Sequence, residues 1–162
     1  QIFFLIILQY LIIWVIINMP VVIHFSDKKI GLSAFKKYKH SSLTHDEASN
    51  IANILNCYMQ SAKPYLNPLY SMLDLSRDVE INNLHVTETL NGLIGQSYND
   101  YINNYRVEEV KRLIREPDHS KTSILAITFE SGFNSKATFY VAFKKFTGIT
   151  PTTFRNQYSP DK

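Results

Sequence analysis

The sequence predicts an all-α protein in which seven helices form one domain behind a single hydrophobic helix. Three observations support this prediction. Apolar residues recur at spacings of three and four after residue 43, helix-capping and helix-ending residues separate these stretches, and no charged residue precedes Asp27. The chain of 162 residues is long enough for one domain and additional segments. Its content of 45% hydrophobic and 13% aromatic residues excludes a disordered chain.

The N-terminal segment, residues 1–25, is predicted to cross a membrane. Only Gln9 is strongly polar in residues 2–17, and the uncharged run extends to Phe25. At about 1.5 Å per residue, a helix of about 22 to 24 residues spans the hydrocarbon layer of about 30 Å. The run has no polar stripe of the kind that a water-soluble helix shows. A cleaved signal peptide and a buried helix of a soluble protein remain as alternatives.

A basic linker, residues 26–43, follows the apolar run. Residues 26–40 carry a net charge of +4, so the positive-inside rule places the C-terminal side of the helix in the cytoplasm. The predicted location is therefore the inner (cytoplasmic) membrane, with the remaining domain facing the cytoplasm. Because the chain is already apolar directly after Gln1, we expect that further sequence precedes it.

The first helices of the domain are marked by their caps. Thr44 and Glu47 form a capping box for a helix that stops before Pro64. A short helix opens at Ser71, and a further helix ends near Gly95. The residues expected to point inward from these three helices are Ala48, Ile51, Leu55, Tyr58, Met59, Met72, Leu75, Val79, Val86, Leu90 and Leu93.

Four further helices complete the predicted domain. Ser97 caps a long helix to about Arg115, closed by Pro117, and Ser123 caps a short helix that ends near Gly132. The next helix begins at a Ser135 cap and ends at Gly148, and the last begins at Pro151. Four phenylalanines at helical spacing are expected in the core: Phe133, Phe139, Phe143 and Phe146.

Two stretches, residues 71–93 and 123–147, share one pattern of short helix, tight turn and longer helix. Leu75 corresponds to Ile127 and Ser76 to Thr128 at an offset of 52 residues. After the turn the offset is 53, and Val86 corresponds to Phe139. Each stretch is a helix-turn-helix candidate, and the long helix between them would set their spacing. Two such helices about 34 Å apart could enter successive major grooves of one duplex.

Residues 44–157 resemble the DNA-binding domain of the AraC/XylS transcription regulators. The resemblance rests on residues 101–113 of the long helix and on a C-terminal signature of Ile127, residues 132–135, Phe139, residues 143–148 and residues 150–151. Residues 63–68 are similar to those of family members fused behind membrane-spanning or sensor regions. The resemblance implies a sequence-specific regulator whose partner is double-stranded DNA, here tethered to the membrane, with residues 158–162 as a tail. It leaves open a homodimer and a contact with RNA polymerase.

Thirteen residues are expected to contact DNA, on the faces of the two second helices that turn away from the core. The first set is Asn83, Leu84, Thr87, Glu88 and Asn91. The second set is Ser135, Lys136, Ala137, Tyr140, Val141 and Lys144, extended by Lys145 and Arg155 as a basic cluster. Asn83 and Thr87 can bond base edges, Lys136 can reach a guanine or a phosphate, and Ser135 can offer helix N-terminal amides to a phosphate.

Two positions depart from the family pattern. Glu88 stands where a basic or amide residue is frequent, and Val141 stands where an arginine is common. Residues 43–130 carry a net charge of −5 and residues 131–162 carry +4. The phosphate-driven part of binding should therefore come mainly from the second half and the basic linker, and binding should be strongly salt-dependent. Because Leu84 and Val141 are apolar, the alternative is a membrane-tethered helical protein-interaction module that has lost DNA binding.

No enzyme, cofactor or metal site is predicted. The five histidines have no metal-ligand spacing on one helix face, and Cys57 is the only cysteine. Gly92 and Gly95 mark a helix end and not a phosphate loop, and no small-molecule site is visible. Cys57 is expected to be inert core. Arg106 and Glu109 are expected to form ion pairs that hold the long helix.

Overall fold

The computed structural model describes residues 43–119 and 121–158, and within these ranges it contains seven α-helices and no β-strand. They are α1 His45–Ala62, α2 Met72–Asp78, α3 Asn83–Glu88, α4 Tyr98–Arg115, α5 Ile124–Glu130, α6 Lys136–Thr147 and α7 Pro151–Tyr158. The all-α prediction is confirmed for this part of the chain. None of its helices is both long and apolar enough to span a membrane. The predicted membrane helix over residues 1–25 and the linker before residue 43 lie outside the described residues.

The predicted helix N-termini are confirmed, because the expected hydroxyl groups cap them. The Thr44 hydroxyl accepts from the Glu47 amide at 3.3 Å, and the Glu47 carboxylate accepts from the Thr44 amide at 2.8 Å. Serine side chains cap four later helices by accepting from a backbone amide three residues ahead: Ser71, Ser97, Ser123 and Ser135. The local sequence therefore determines where these helices start.

Helix α1 buries one stripe, and Cys57 is not on it. Ile51, Leu55 and Met59 recur every four residues and are buried, with Leu55 and Met59 fully so. Cys57 lies two residues from Leu55, which at 3.6 residues per turn places it about 200° round the helix. The thiol is exposed, so the prediction that Cys57 belongs to the core is wrong.

The two predicted helix-turn-helix stretches have matching structures. The first lobe consists of α2, α3 and the residues that continue α3, and the second lobe consists of α5 and α6. Helices α2 and α5 each have seven residues, and the second helices end at Gly95 and Gly148, both with positive φ, 53 residues apart. The corresponding residues Val86 and Phe139 are both fully buried. The internal duplication is thereby confirmed.

The lobes differ in the last turns of the second helix. In the second lobe, α6 is α-helical for all its 12 residues, whereas α3 changes after Glu88 into a π-helical segment, Thr89–Ile94. The wider π turn brings two consecutive residues, Thr89 and Leu90, fully into the core. The Thr89 hydroxyl has no hydrogen-bond partner within the described residues. The sequence pattern indicates one continuous helix here and does not reveal this change.

Helix α4 contributes to two hydrophobic cores. Its N-terminal half supplies Tyr101 and Ile102 to a core with α1, α2 and α3, whose deepest members include Leu55, Leu75 and Leu90. Its C-terminal half supplies residues 107–114 to a second core with α5, α6 and α7. The buried members of this second core are Val107, Val110, Leu113, Ile114, Ile127, Phe133, Phe139, Ala142, Phe143 and Phe154, and Phe146 packs against them half-buried. Both lobes are thus built on one helix.

The turn of the first lobe contains a strained residue, Glu80, with φ of 57°. A left-handed conformation costs a residue with a Cβ about 1–2 kcal/mol, and replacement by glycine removes this cost. The larger conformational entropy of glycine in the unfolded state offsets part of the stability that is gained. We therefore expect Glu80→Gly to raise the free energy of unfolding by about 1 kcal/mol. Urea denaturation followed by circular dichroism measures it. In the control, Glu108→Gly within α4 should lower stability by about 1 kcal/mol. A loss in both variants would contradict the strain at Glu80.

Asp78 ties α2 to α1 and to the segment between them. Its Oδ2 atom accepts from the Tyr70 and Tyr58 hydroxyls, each at 2.9 Å, and these bonds hold the pKa of the carboxyl below its usual value of 3.8. A lowered folded-state pKa contributes stability that is present above about pH 4 and is lost as the pH falls through the folded pKa. In Asp78→Asn, stability should therefore change less between about pH 4 and 2 than in the parent. The free energy of unfolding is measured by denaturant titration at several pH values. An equal fall in parent and variant between about pH 4 and 2 would contradict this prediction.

Candidate nucleic-acid interface

The predicted residues of the first lobe lie along the outer side of α3. Asn83 and Leu84 occupy its first turn, and both are exposed, with Leu84 at 59%. The Asn82 side chain caps the helix by accepting from the Leu84 amide at 2.8 Å. Thr87 is half-buried and its hydroxyl donates to the Asn83 carbonyl oxygen at 2.7 Å. The Asn83 side chain is thus exposed to solvent, whereas the Thr87 hydroxyl proton is already donated to the backbone.

The last two predicted residues of this lobe are less accessible. Glu88 ends α3 and Asn91 lies in the π-helical segment, and both are half-buried. A carboxylate at Glu88 can accept from a cytosine amino group but repels phosphate. The open part of this face is therefore the first turn of α3.

The predicted residues of the second lobe form an exposed stripe along α6. Lys136, Ala137 and Lys144 are exposed, Tyr140 is 36% exposed and Val141 is 71% exposed. The Lys136 ammonium lies 5.7 Å from the centre of the Tyr140 ring, which packs edge-on against the buried Phe139. Packing on Phe139 holds the Tyr140 ring, and the ring in turn positions the Lys136 charge at the first turn of α6.

Two members of the predicted basic cluster are less available than expected, Lys145 because it is paired and Arg155 because it is half-buried. The Lys145 ammonium donates to Asp100 Oδ1 at 2.6 Å, and Lys145 lowers the pKa of that carboxyl. Arg155 is half-buried on α7, where burial lowers its pKa, and its Nη2 atom has no hydrogen-bond partner within the described residues. Of the three cations, Lys144 is therefore the most available to an external phosphate.

The charge difference between the halves persists in the described residues. Residues 43–100 contain two basic residues (Lys or Arg) and seven acidic residues (Asp or Glu). Residues 121–158 contain five basic residues and one acidic residue. Because the second half holds the exposed Lys136 and Lys144, its field attracts a polyanion, and that of the first half does not. The N-terminal amides of α6, at the Ser135 cap, add to this attraction.

Arg106 does not form the expected ion pair. It is only 8% exposed, and its Nε and Nη2 atoms donate to the carbonyl oxygens of Tyr65 and Asn67 at 2.8 and 3.0 Å. In the described part of the chain its partners are carbonyl oxygens, because the loop before α2 crosses α4 at this point. Glu109 does form the expected ion pairs, with Arg112 at 2.7 Å and with Lys63 at 3.9 Å.

A cleft of about 300 Å³ lies next to Arg106, between α4, the loop before α2 and the second lobe. Its polar lining includes Tyr70, Asn103, Arg106, Asn134 and Thr138. Sequence reasoning did not find this cleft, since its walls come from three separate parts of the chain. The described residues contain no group of three or more His, Cys, Asp and Glu that could hold a metal ion.

Comparison with known proteins identifies similar domains. Residues 75–157 match the helix-turn-helix domain family, which is just over half of the 162-residue chain. Over 124 residues the chain is 26% identical to an uncharacterized HTH-type transcriptional regulator in the cgkA 5′ region of Pseudoalteromonas carrageenovora, covering 74% of this chain and 71% of that protein. It is 27% identical over 135 residues to the uncharacterized HTH-type transcriptional regulator YobQ of Bacillus subtilis, covering 74% of this chain but only 55% of YobQ.

Two solved structures share the fold. A protein of unknown function from Listeria innocua superposes with a TM-score of 0.54 at 28% identity, over 67% of this chain and 97% of that one. The C-terminal domain of the two-component response regulator YesN from Fusobacterium nucleatum superposes with a TM-score of 0.52 at 22% identity, over 66% of this chain and 98% of that domain. The second similarity, below 25% identity, concerns the fold alone.

Proposed function

The chain belongs to the AraC/XylS-type helix-turn-helix family, and from this premise we propose that it is a sequence-specific DNA-binding regulator of transcription and not an enzyme. The observation that supports this most directly is the pair of equivalent lobes on one linking helix. Each lobe presents the first turn of its second helix to solvent, with Asn83 in one and Lys136 in the other. In helix-turn-helix proteins that part of the helix contacts base edges in the major groove.

We propose that the two lobes make different contributions to DNA binding. The second lobe supplies most of the phosphate attraction through Lys136, Lys144 and the N-terminus of α6. Lys145 contributes to the extent that it leaves Asp100, and Arg155 to the extent that its half-buried guanidinium reaches the DNA. The first lobe supplies discrimination through the Asn83 side chain and through the Thr87 oxygen, which can still accept a hydrogen bond, with apolar contacts from Leu84 to a thymine methyl group. Glu88 then favours cytosine at its position and weakens phosphate binding.

The location of the protein and its partners other than DNA belong to the same proposal. The apolar run of residues 1–25 and the basic residues after it support a tether in the inner membrane with the two lobes in the cytoplasm. Tethering or homodimerisation would raise the effective concentration at DNA, which a domain with few free cations needs. A favourable contact with RNA polymerase at a promoter would allow the protein to act as an activator.

The test is a DNA selection with the full chain in mild detergent, followed by footprinting of the selected duplexes. We expect two protected elements on one face of the DNA and an affinity that falls steeply between 50 and 200 mM salt, with a log–log slope of about −0.9 for each phosphate contact. The control is the same protein with single-stranded DNA of the same sequence. The absence of any protected site at low salt would reject the proposal.

A second candidate function is a helical module that docks a protein instead of DNA. The observation that favours it is the exposure of Leu84 and Val141, at 59% and 71%, on the two faces proposed for DNA. Apolar side chains of this size are unusual on a phosphate-binding surface. Replacing both by serine should abolish docking of a protein partner in a pull-down from nuclease-treated extract but leave the salt slope for DNA unchanged.

A further inference from the structure

The second lobe makes a tight backbone contact with the loop before α2, and Tyr65 of this loop belongs to the core that holds α2 and α3. The segment between α1 and α2, residues 63–70, is called the strap here. It passes over α4 and touches the turn of the second lobe at Gly132. A Cβ atom on Gly132 would lie 2.8 Å from the Leu66 Cα atom and would overlap the Tyr65 carbonyl oxygen. Only glycine fits between the strap and α5 at this distance.

The same strap is held by Arg106. This side chain donates to the Tyr65 and Asn67 carbonyl oxygens, and its guanidinium carbon lies 5.8 Å from the centre of the Phe133 ring. Arg106 thus contacts the strap on one side and the second lobe on the other. The planar guanidinium presents two donors at fixed angles, which a lysine does not provide.

Comparison between the duplicated lobes separates the effect of space from the effect of backbone angle. Glu80 in the first lobe corresponds to Gly132 in the second at an offset of 52 residues, and both have positive φ, 57° and 85°. The turn itself therefore tolerates a side chain. What differs at Gly132 is the strap against it, so the glycine is required by the contact between the strap and the second lobe.

We propose that Gly132 and Arg106 are positioning residues that fix the distance and angle between α3 and α6, and with them the separation of the two DNA elements that the protein binds. The DNA consequence rests on the proposed function, but the geometric claim does not. The Lys145–Asp100 ion pair is a weaker second tie, because both side chains are partly exposed and such pairs contribute little.

The test measures the distance between lobes in the full chain without DNA. Spin labels are attached at Leu73→Cys and Leu125→Cys, two exposed and mutually equivalent positions on α2 and α5, in a Cys57→Ser background. Pulsed electron spin resonance should give one narrow distance distribution. In Gly132→Ala we expect a shifted distribution, roughly twofold broader, as a packed contact becomes a hinge.

The matched control is Gly148→Ala. Gly148 also has positive φ, 77°, but no atom lies within 4 Å of where its Cβ would be. This variant suffers the backbone strain without losing the contact, and its distance distribution should equal that of the parent. Arg106→Lys provides an independent test if Gly132→Ala does not fold. It keeps the charge and should broaden the distribution. Parental distributions in both Gly132→Ala and Arg106→Lys would overturn the proposal.

The DNA readout uses the duplex obtained by selection. One or two base pairs inserted between the two elements should weaken binding of the parent strongly and that of Arg106→Lys much less, whereas a single element should bind both equally. If no DNA binds, the proposed function fails while the distance measurement still decides the geometric claim. Equal loss on insertion in parent and variant would contradict the role in spacing.

Discussion

Replacing Lys136 and Lys144 together by alanine is expected to weaken binding to duplex DNA by about 10- to 100-fold at low salt. Both ammonium groups lie on the exposed side of α6, and neither is in an ion pair with a described residue. A charge-assisted hydrogen bond contributes about 1.5 kcal/mol or more, which corresponds to about tenfold in affinity. Fluorescence anisotropy at several salt concentrations measures the loss.

The salt dependence identifies the cause of this loss. Each ammonium that contacts a phosphate adds about 0.9 to the slope of log affinity against log salt, so the double variant should have a slope shallower by about 2. Lys111→Ala is the matched control. It removes one positive charge from α4, where the Lys111 ammonium lies 2.7 Å from the Glu108 carboxylate, and should leave the slope unchanged. If Lys111→Ala changes the slope as much as the double variant does, binding is not localised on α6.

Replacing Phe143 by alanine is expected to lower the free energy of unfolding by about 3–5 kcal/mol. The ring is completely buried and has the Phe139 and Phe154 rings around it, each with its centre 5.6 Å away. Truncation leaves a cavity that these rigid aromatic neighbours cannot fill. The loss is a large share of the about 5–15 kcal/mol that stabilises an ordinary domain.

Phe129→Ala controls for the substitution itself. Phe129 belongs to α5 in the same lobe, but 51% of it is exposed, so its removal should cost less than about 1 kcal/mol. Urea denaturation followed by circular dichroism compares the two variants. Comparable losses would mean that the second core is not centred on Phe143.

The local features of the fold were predictable from the sequence, because their partners lie three or four residues apart. The hydroxyl of Ser97, for example, caps α4 through the amide of Asp100, and apolar spacing correctly assigns Leu55, Leu90 and Phe139 to the core. The prediction for Cys57 is wrong because the buried Leu55 and Met59 lie two residues away on either side, whereas Cys57 itself points outward from the helix.

The contacts that join α4 to the strap and to the second lobe could not be predicted in this way. Arg106 reaches carbonyl oxygens 39 and 41 residues away, and Lys145 reaches a carboxylate 45 residues away. Nothing in the local pattern identifies such partners, because they depend on how the strap crosses α4. For the candidate site, the sequence sufficed to select the faces of α3 and α6. The engagement of Lys145 and the half-burial of Arg155, which reduce the free cations of the second lobe, required the structure.

Helix α4 belongs to both hydrophobic cores, and the two halves of the domain are therefore expected to unfold together. Unfolding of either half unwinds α4, on which the other half packs. Calorimetry should therefore record a single endotherm whose calorimetric and van't Hoff enthalpies agree. For the same reason, a chain truncated directly after α4 would expose to water the side of α4 that the second core covers, at Val107, Val110 and Ile114. Although the two lobes are built alike, they are expected to unfold as one cooperative unit.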